Sequence, residues 1–91
     1  MSWVIDEDKR VIKALNKLPR YIQSSYSYWR SLITNDGIDK VKEIKGFHFE
    51  KLKGKKKNEY SCRLSKSYRV YFKLLKETKT VIVSGVNKHD Y

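Results

Sequence analysis

The spacing of apolar residues in the first third of the chain predicts an amphipathic helix. Four apolar residues fall on one face of this helix: Val11, Ile12, Leu15 and Leu18. Their spacing matches the 3.6-residue helical period. Asp6 or Asp8 is a candidate N-cap, because a short acidic side chain accepts hydrogen bonds from the first free N–H groups. Pro19 ends the helix and can open the first turn of the next one.

A second helix is predicted from residue 20 to about residue 32. Its apolar stripe is Ile22, Tyr26, Trp29 and Ile33. A stripe at this spacing is typical of a helix that packs on a core, so we interpret these rings as core residues. The loop-forming residues at 35–37 end the helix. The two helices should form a hairpin.

Alternating apolar and polar residues predict strands in the second half of the chain. The predicted strands are residues 60–64, 68–75 and 80–86, and a short strand at residues 3–5 precedes the helices. Short polar turns separate the last three strands, which favours an antiparallel meander. The last of these is apolar on both faces, as a central strand should be.

This order of elements predicts an α+β fold. An N-terminal strand and a helical hairpin should pack on one face of a small, mainly antiparallel, twisted sheet, and the opposite face should stay available. Residues 46–57 are predicted to be a loop or a short strand. We find no linker or repeat and expect one domain over residues 1–91.

The charge balance makes a polyanionic partner the first expectation. The chain has 21 Lys and Arg against 10 Asp and Glu, which gives a net charge of +11. So many like charges repel one another on a small domain, and a polyanion relieves that repulsion. Nucleic acid is the first candidate, an acidic protein the second and an anionic membrane surface the third.

The single cysteine, Cys62, excludes an intramolecular disulfide and a thiolate metal cluster. The first residues lack the charge and apolar run of a signal peptide, and no stretch has the length of a membrane span. We therefore expect a cytoplasmic protein that does not enter membranes. No phosphate-binding glycine motif or metal-ligand spacing is present, so we expect no cofactor and no metal.

A cluster of lysines marks a candidate nucleic-acid contact. Its members are Lys51, Lys53, Lys55, Lys56 and Lys57. Such a run often serves only solubility, but on a chain with this net charge it favours contact with a phosphate backbone.

Two arginines on adjacent strands form the centre of a candidate catalytic site. Arg63 and Arg69 lie opposite the mostly apolar faces of their strands, so antiparallel pairing can bring both guanidiniums onto one exposed sheet face. A guanidinium holds phosphate with paired hydrogen bonds. The tail after the last strand adds three candidates: Lys88, His89 and Tyr91.

These residue types suit RNA cleavage without a metal. The reaction needs a base for the ribose 2′-OH, cations for the phosphorane and an acid for the leaving oxygen. His89 or Glu50 is the candidate base, and His89 is also a candidate acid. Lys88 can add positive charge, and Tyr91 can stack on a base or donate a proton. His48 is a weaker substitute.

Four segments resemble, in this order, the RelE/ParE toxin superfamily, in particular its HigB-like and YoeB-like branches. They are residues 47–54 (FHFEKLKG), 60–64 (YSCRL), 68–72 (YRVYF) and 88–91 (KHDY). The resemblance implies the toxin of a type II toxin–antitoxin system, a ribosome-dependent mRNA endonuclease neutralised by a cognate antitoxin.

The resemblance also implies residue roles. It places Arg69 on the scissile phosphate, with Arg63 at a second basic strand position. It gives Glu50 a part in proton transfer. His89 and Tyr91 match the His and Tyr often found in the tail of the family.

Two other functions remain open at this point. A ParE-like toxin shares the fold but inhibits DNA gyrase without cutting RNA, and the candidate acid–base residues in the tail argue against it. A basic nucleic-acid-binding module without activity is the second, although no RNP-like, helix-turn-helix or zinc pattern supports it.

Overall fold

The computed structural model describes residues 2–54 and 58–88. In chain order the elements are β1 (Val4–Asp6), α1 (Lys9–Asn16), α2 (Arg20–Asp36), α3 (Ile38–Glu43), a 3₁₀ turn (Lys45–Phe47), β2 (Glu50–Lys51), β3 (Glu59–Arg63), β4 (Tyr68–Leu75) and β5 (Thr80–Lys88). The strands form one mixed sheet in the order β1-β5-β4-β3-β2. The predicted α+β fold is confirmed.

The helix boundaries follow the local chemistry of the sequence. Asp8 is the N-cap of α1, because its carboxylate accepts a hydrogen bond of 2.8 Å from the N–H of Val11. Pro19 precedes α2, and Gly37 ends it with a φ of 88°, a left-handed conformation that glycine adopts without strain. The second helix therefore runs four residues beyond the predicted end at residue 32.

The meander of the last three strands is confirmed, with β3, β4 and β5 paired antiparallel. The N-terminal strand β1 pairs with β5 in parallel, Ile5 beside Val81. The sheet order leaves β1 and β2 at the edges and places β5 inside. The predicted central position of the last strand is therefore confirmed.

Three elements between α2 and β3 were not predicted as such. The short helix α3 buries Ile38 and Val41, and the 3₁₀ turn buries Phe47. They carry the chain to β2, which pairs with β3 at the sheet edge. Of the predicted loop or short strand at 46–57, the described residues 46–54 contain the end of the 3₁₀ turn and the short strand β2; residues 55–57 lie outside the described residues.

The apolar stripe of α2 packs onto the sheet, as predicted. Trp29 is fully buried, and its ring lies 5.2 Å from that of Phe72 on β4 and 5.5 Å from that of Tyr26. The buried core is Ile5, Val11, Leu15, Ile22, Tyr26, Trp29, Ile33, Ile38, Val41, Phe47, Cys62, Leu64, Val70, Phe72, Leu74, Val81, Val83 and Val86. We call the sheet side that carries Cys62, Val70 and Phe72 the helix face.

Replacement of the central ring should destabilise the fold strongly. We expect Trp29→Ala to lower the free energy of unfolding by about 3–5 kcal/mol, because it leaves a cavity between α2 and β4. Tyr21→Ala is the control, since Tyr21 lies on the same helix but is exposed. Urea unfolding followed by circular dichroism measures both. Equal losses for the two variants would contradict the packing described.

The buried thiol should make the fold sensitive to alkali. Burial raises the pKa of Cys62 to about 12, and the Trp29 indole and the Arg69 guanidinium oppose part of the rise. The unfolded chain loses this proton first, so the free energy of unfolding should fall between about pH 9 and about pH 12. Urea unfolding across this range should show a shallower fall for Cys62→Ala. Equal slopes would contradict the prediction.

Candidate active site

The side of the sheet away from the helices carries the candidate site, and we call it the open face. Strand alternation places Ser61 and Arg63 of β3 on it, with Arg69 and Tyr71 of β4. Ser61 is paired with Tyr71, and Arg63 is paired directly with Arg69. The prediction that the two arginines share one face of the sheet is confirmed.

Arg69 is buried, although an exposed side chain was predicted. Only 8% of the residue is exposed. Its Nη1 lies 3.4 Å from Ser61 Oγ, a hydroxyl that accepts this hydrogen bond, and 3.5 Å from Glu50 Oε2. These two partners hold the guanidinium against the sheet, which fixes the direction of its remaining N–H groups.

Glu50 reaches the site from the neighbouring strand, β2. It pairs with Ser61, so its side chain lies on the open face beside Arg69. The same carboxylate oxygen is 3.8 Å from His48 Nε2. The candidate proton-transfer carboxylate therefore adjoins both a buried cation and an imidazole.

His48 enters the site through an unusual backbone conformation. Its φ of 44° and ψ of 55° lie in the left-handed region, which is uncommon for a residue with a side chain. This turn joins the 3₁₀ turn to β2 and leaves Phe49 on the helix face, where its ring lies 5.2 Å from that of Tyr60. His48, named in the sequence analysis as a weaker substitute, therefore lies beside Glu50.

Arg63 has a buried hydrogen-bond donor that is not satisfied within the described residues. Its buried Nε has no hydrogen-bond partner within the described parts of the chain. Such a donor is costly to bury unpaired, and an anion on the open face would supply the acceptor. Arg63 and Arg69 also repel each other as directly opposed like charges, which favours the same anion.

An open pocket of about 410 Å³ lies over this cluster. Its lining is His48, Glu50, Lys51, Leu52, Lys53, Ser61, Arg69 and Tyr71. Lys51 and Lys53 thus border the candidate site, as the predicted RNA contact requires. Cations, a carboxylate and an imidazole around one cavity can bind a phosphodiester and move a proton.

Lys88 does not line this pocket, and its catalytic role stays a prediction. Lys88 pairs with Tyr68, whose ring packs against the core, and therefore belongs to the row of the helix face. Asn87 is the residue of β5 opposite Arg69. The cause is a register shift in β5, where Ser84 is an extra residue between the two pairs Tyr71–Gly85 and Phe72–Val83.

Five predicted site residues lie outside the described residues: Lys55, Lys56, Lys57, His89 and Tyr91. Three residues of the open face were missed as site residues: Ser61, Tyr71 and Asn87. Strand alternation with the arginines indicated Ser61 and Tyr71, whereas Asn87 depends on the register shift.

Within residues 2–54 and 58–88, no group of three or more His, Cys, Asp or Glu could hold a metal ion. No helix in these ranges has the length and apolar character needed to cross a bilayer.

Comparison with solved structures identifies the fold as RelE-like. The Pyrococcus horikoshii RelE–RelB complex contains a chain 23% identical to this one, with 97% of this chain and 96% of that chain covered and a TM-score of 0.73. The E. coli DinJ–YafQ toxin–antitoxin complex contains a chain 13% identical to this one, with 98% of this chain and 94% of that chain covered and a TM-score of 0.77. The isolated E. coli RelE toxin is 22% identical in sequence, with 99% of this chain and 87% of that chain covered and a TM-score of 0.68.

The resemblance predicted from the sequence motifs is therefore confirmed at the level of the fold. No protein-family model and no curated protein matches the sequence. The HigB-like or YoeB-like branch stays a prediction.

Proposed function

We propose that this chain is the toxin of a type II toxin–antitoxin pair and that it is an endoribonuclease acting on mRNA. The observation that carries the proposal is the contact of Glu50 with Arg69 and His48 in one open pocket, with Arg63 paired opposite Arg69 on the adjacent strand. The fold supports the toxin role, since its structural neighbours include the E. coli DinJ–YafQ toxin–antitoxin complex.

The reaction we propose is attack of a ribose 2′-oxygen on the adjacent phosphorus. The base removes the 2′-OH proton, the bond to the 5′-oxygen breaks, and an acid protonates that oxygen. The products are a 2′,3′-cyclic phosphate and a free 5′-OH. No metal ion takes part in this proposal, because protein cations carry the phosphorane charge.

Glu50 is the proposed base, since its carboxylate adjoins Arg69, one of the two arginines that would bind the phosphate. Arg69 and Arg63 would stabilise the phosphorane with charged hydrogen bonds. His48 is the imidazole nearest to Glu50 in the described part of the chain. His89 and Tyr91 remain sequence-based candidates for the acid and for base stacking.

The partners follow from the same proposal. A cognate antitoxin would neutralise the toxin, and an acidic segment of it would suit a chain of net charge +11. We further propose that cleavage takes place on ribosome-bound mRNA, as the family resemblance implies. Lys51 and Lys53 would contact the RNA backbone at the pocket edge.

Loss of either Arg69 or Glu50 should slow cleavage strongly. We expect Arg69→Gln and Glu50→Gln each to lower the rate of mRNA cleavage by about 10²-fold or more, through loss of phosphorane stabilisation and of the base. The assay measures RNA cleavage on purified translating ribosomes and maps the 3′ ends for the cyclic phosphate. Growth arrest on expression is the second readout.

Matched controls separate catalysis from folding and from net charge. Arg10→Gln removes an exposed arginine of α1, and Glu43→Gln removes an exposed carboxylate of α3. Both should cleave like the wild type, and circular dichroism should show all four variants folded. Full cleavage by Glu50→Gln would overturn its role. Growth arrest with broken DNA and intact mRNA would support the gyrase alternative, and no toxicity would support a binding module.

A further inference from the structure

A second cavity lies on the open face, on the far side of Tyr71 from Glu50. Its volume is about 280 Å³, and its lining is Leu52, Glu59, Tyr71, Ser84, Gly85 and Asn87. Tyr71 and Leu52 line both this cavity and the pocket over Arg69. Tyr71 and Leu52 therefore lie at the border between the two.

This cavity exists because β5 has no side chain at the position opposite Tyr71. Gly85 is the cross-strand partner of Tyr71, next to the extra residue Ser84. A Cβ built on Gly85 would meet only Asn87 Nδ2, at 4.0 Å, and the φ of Gly85 is not in the left-handed region. The protein therefore has room for a Cβ at this position, and the backbone conformation does not require glycine. What glycine adds here is the empty space beside Tyr71.

The neighbouring row of side chains indicates what this space receives. Asn87, Arg69 and Arg63 form the next cross-strand row on the open face. Rows on one face are about 7 Å apart along a strand, a distance that one ribose spans between its phosphate and its base. A phosphate on the arginines would therefore present a base to Tyr71.

We propose that this cavity is a nucleobase subsite, in which one base of the RNA stacks on Tyr71 above Gly85. The proposal rests on the proposed function, because the arginine row must hold the phosphate. Aromatic rings bind unpaired RNA bases by stacking, and single-stranded RNA exposes its bases for this contact. The Asn87 amide lies at the cavity edge and offers one donor group and one acceptor to the rim of the base.

Binding of a short single-stranded RNA tests the subsite without cleavage. The probe carries 2′-O-methyl groups, which prevent attack, and 2-aminopurine next to the phosphate, whose fluorescence falls on stacking. A matched probe has an abasic site there. We expect the wild type to bind the base-containing RNA about tenfold tighter than the abasic RNA. Tyr71→Phe should keep this difference, and Tyr71→Leu should remove it.

A methyl group added to the cavity is the second arm of the test. Gly85→Ala places a methyl group beside the ring without a clash in the free protein, and should reduce the preference for the base-containing probe. Gly46→Ala is the matched control, because a Cβ there meets no atom within 4 Å and Gly46 does not line the cavity. Tyr21→Leu is the control for loss of an exposed tyrosine.

The outcomes separate the subsite from the nuclease. If the wild type prefers the base-containing probe and Tyr71→Leu does not, the subsite stands even where no RNA is cut. If the wild type cleaves mRNA but Tyr71→Leu and Gly85→Ala bind both probes as the wild type does, the subsite is overturned and the nuclease proposal stands. Equal binding of both probes by the wild type also overturns it.

Discussion

The candidate site depends on the register in which β3 pairs with β4. In this register Cys62 faces Val70 on the helix face, while Arg63 faces Arg69 on the open face. A slip of one residue would exchange the faces of the whole strand. Two features hold the register: the buried row that packs under α2, and the turn in which Ser65 Oγ accepts hydrogen bonds from the N–H groups of Ser67 and Tyr68.

This register brings two positively charged side chains opposite each other in the candidate site, and their repulsion is unfavourable. Two guanidiniums face each other across adjacent strands, and within the described residues Glu50 is the carboxylate that pairs with Arg69. The buried Nε of Arg63 is left without an acceptor there. A phosphodiester would supply both the negative charge and the missing acceptor, so the arrangement is better suited to the bound state than to the free one. The general excess of positive charge adds attraction from a distance.

The sequence predicted the elements whose apolar pattern is long, and missed those whose pattern is short. The stripe of α2 covers three turns, and all four of its predicted residues are buried. Helix α3 has six residues and two buried side chains, too few to show a period. The arginine pair was predictable because alternation on two regular strands fixes its face. The contact between His48 and Glu50 was not, because it depends on a left-handed backbone at His48.

The positions of Lys88 and Asn87 also depend on an irregularity that the sequence pattern does not show. Simple alternation from Ile82, which faces the open side, would put Lys88 on that side as well. The extra residue Ser84 reverses the alternation, so Lys88 moves to the row of Tyr68 and Asn87 takes the place opposite Arg69. The same irregularity brings Gly85 opposite Tyr71 and thereby opens the second cavity. One inserted residue therefore places an amide, and not a cation, opposite Arg69 and leaves an open space beside Tyr71. This combination is a reason to regard the bulge as part of the site rather than as an accident of strand pairing.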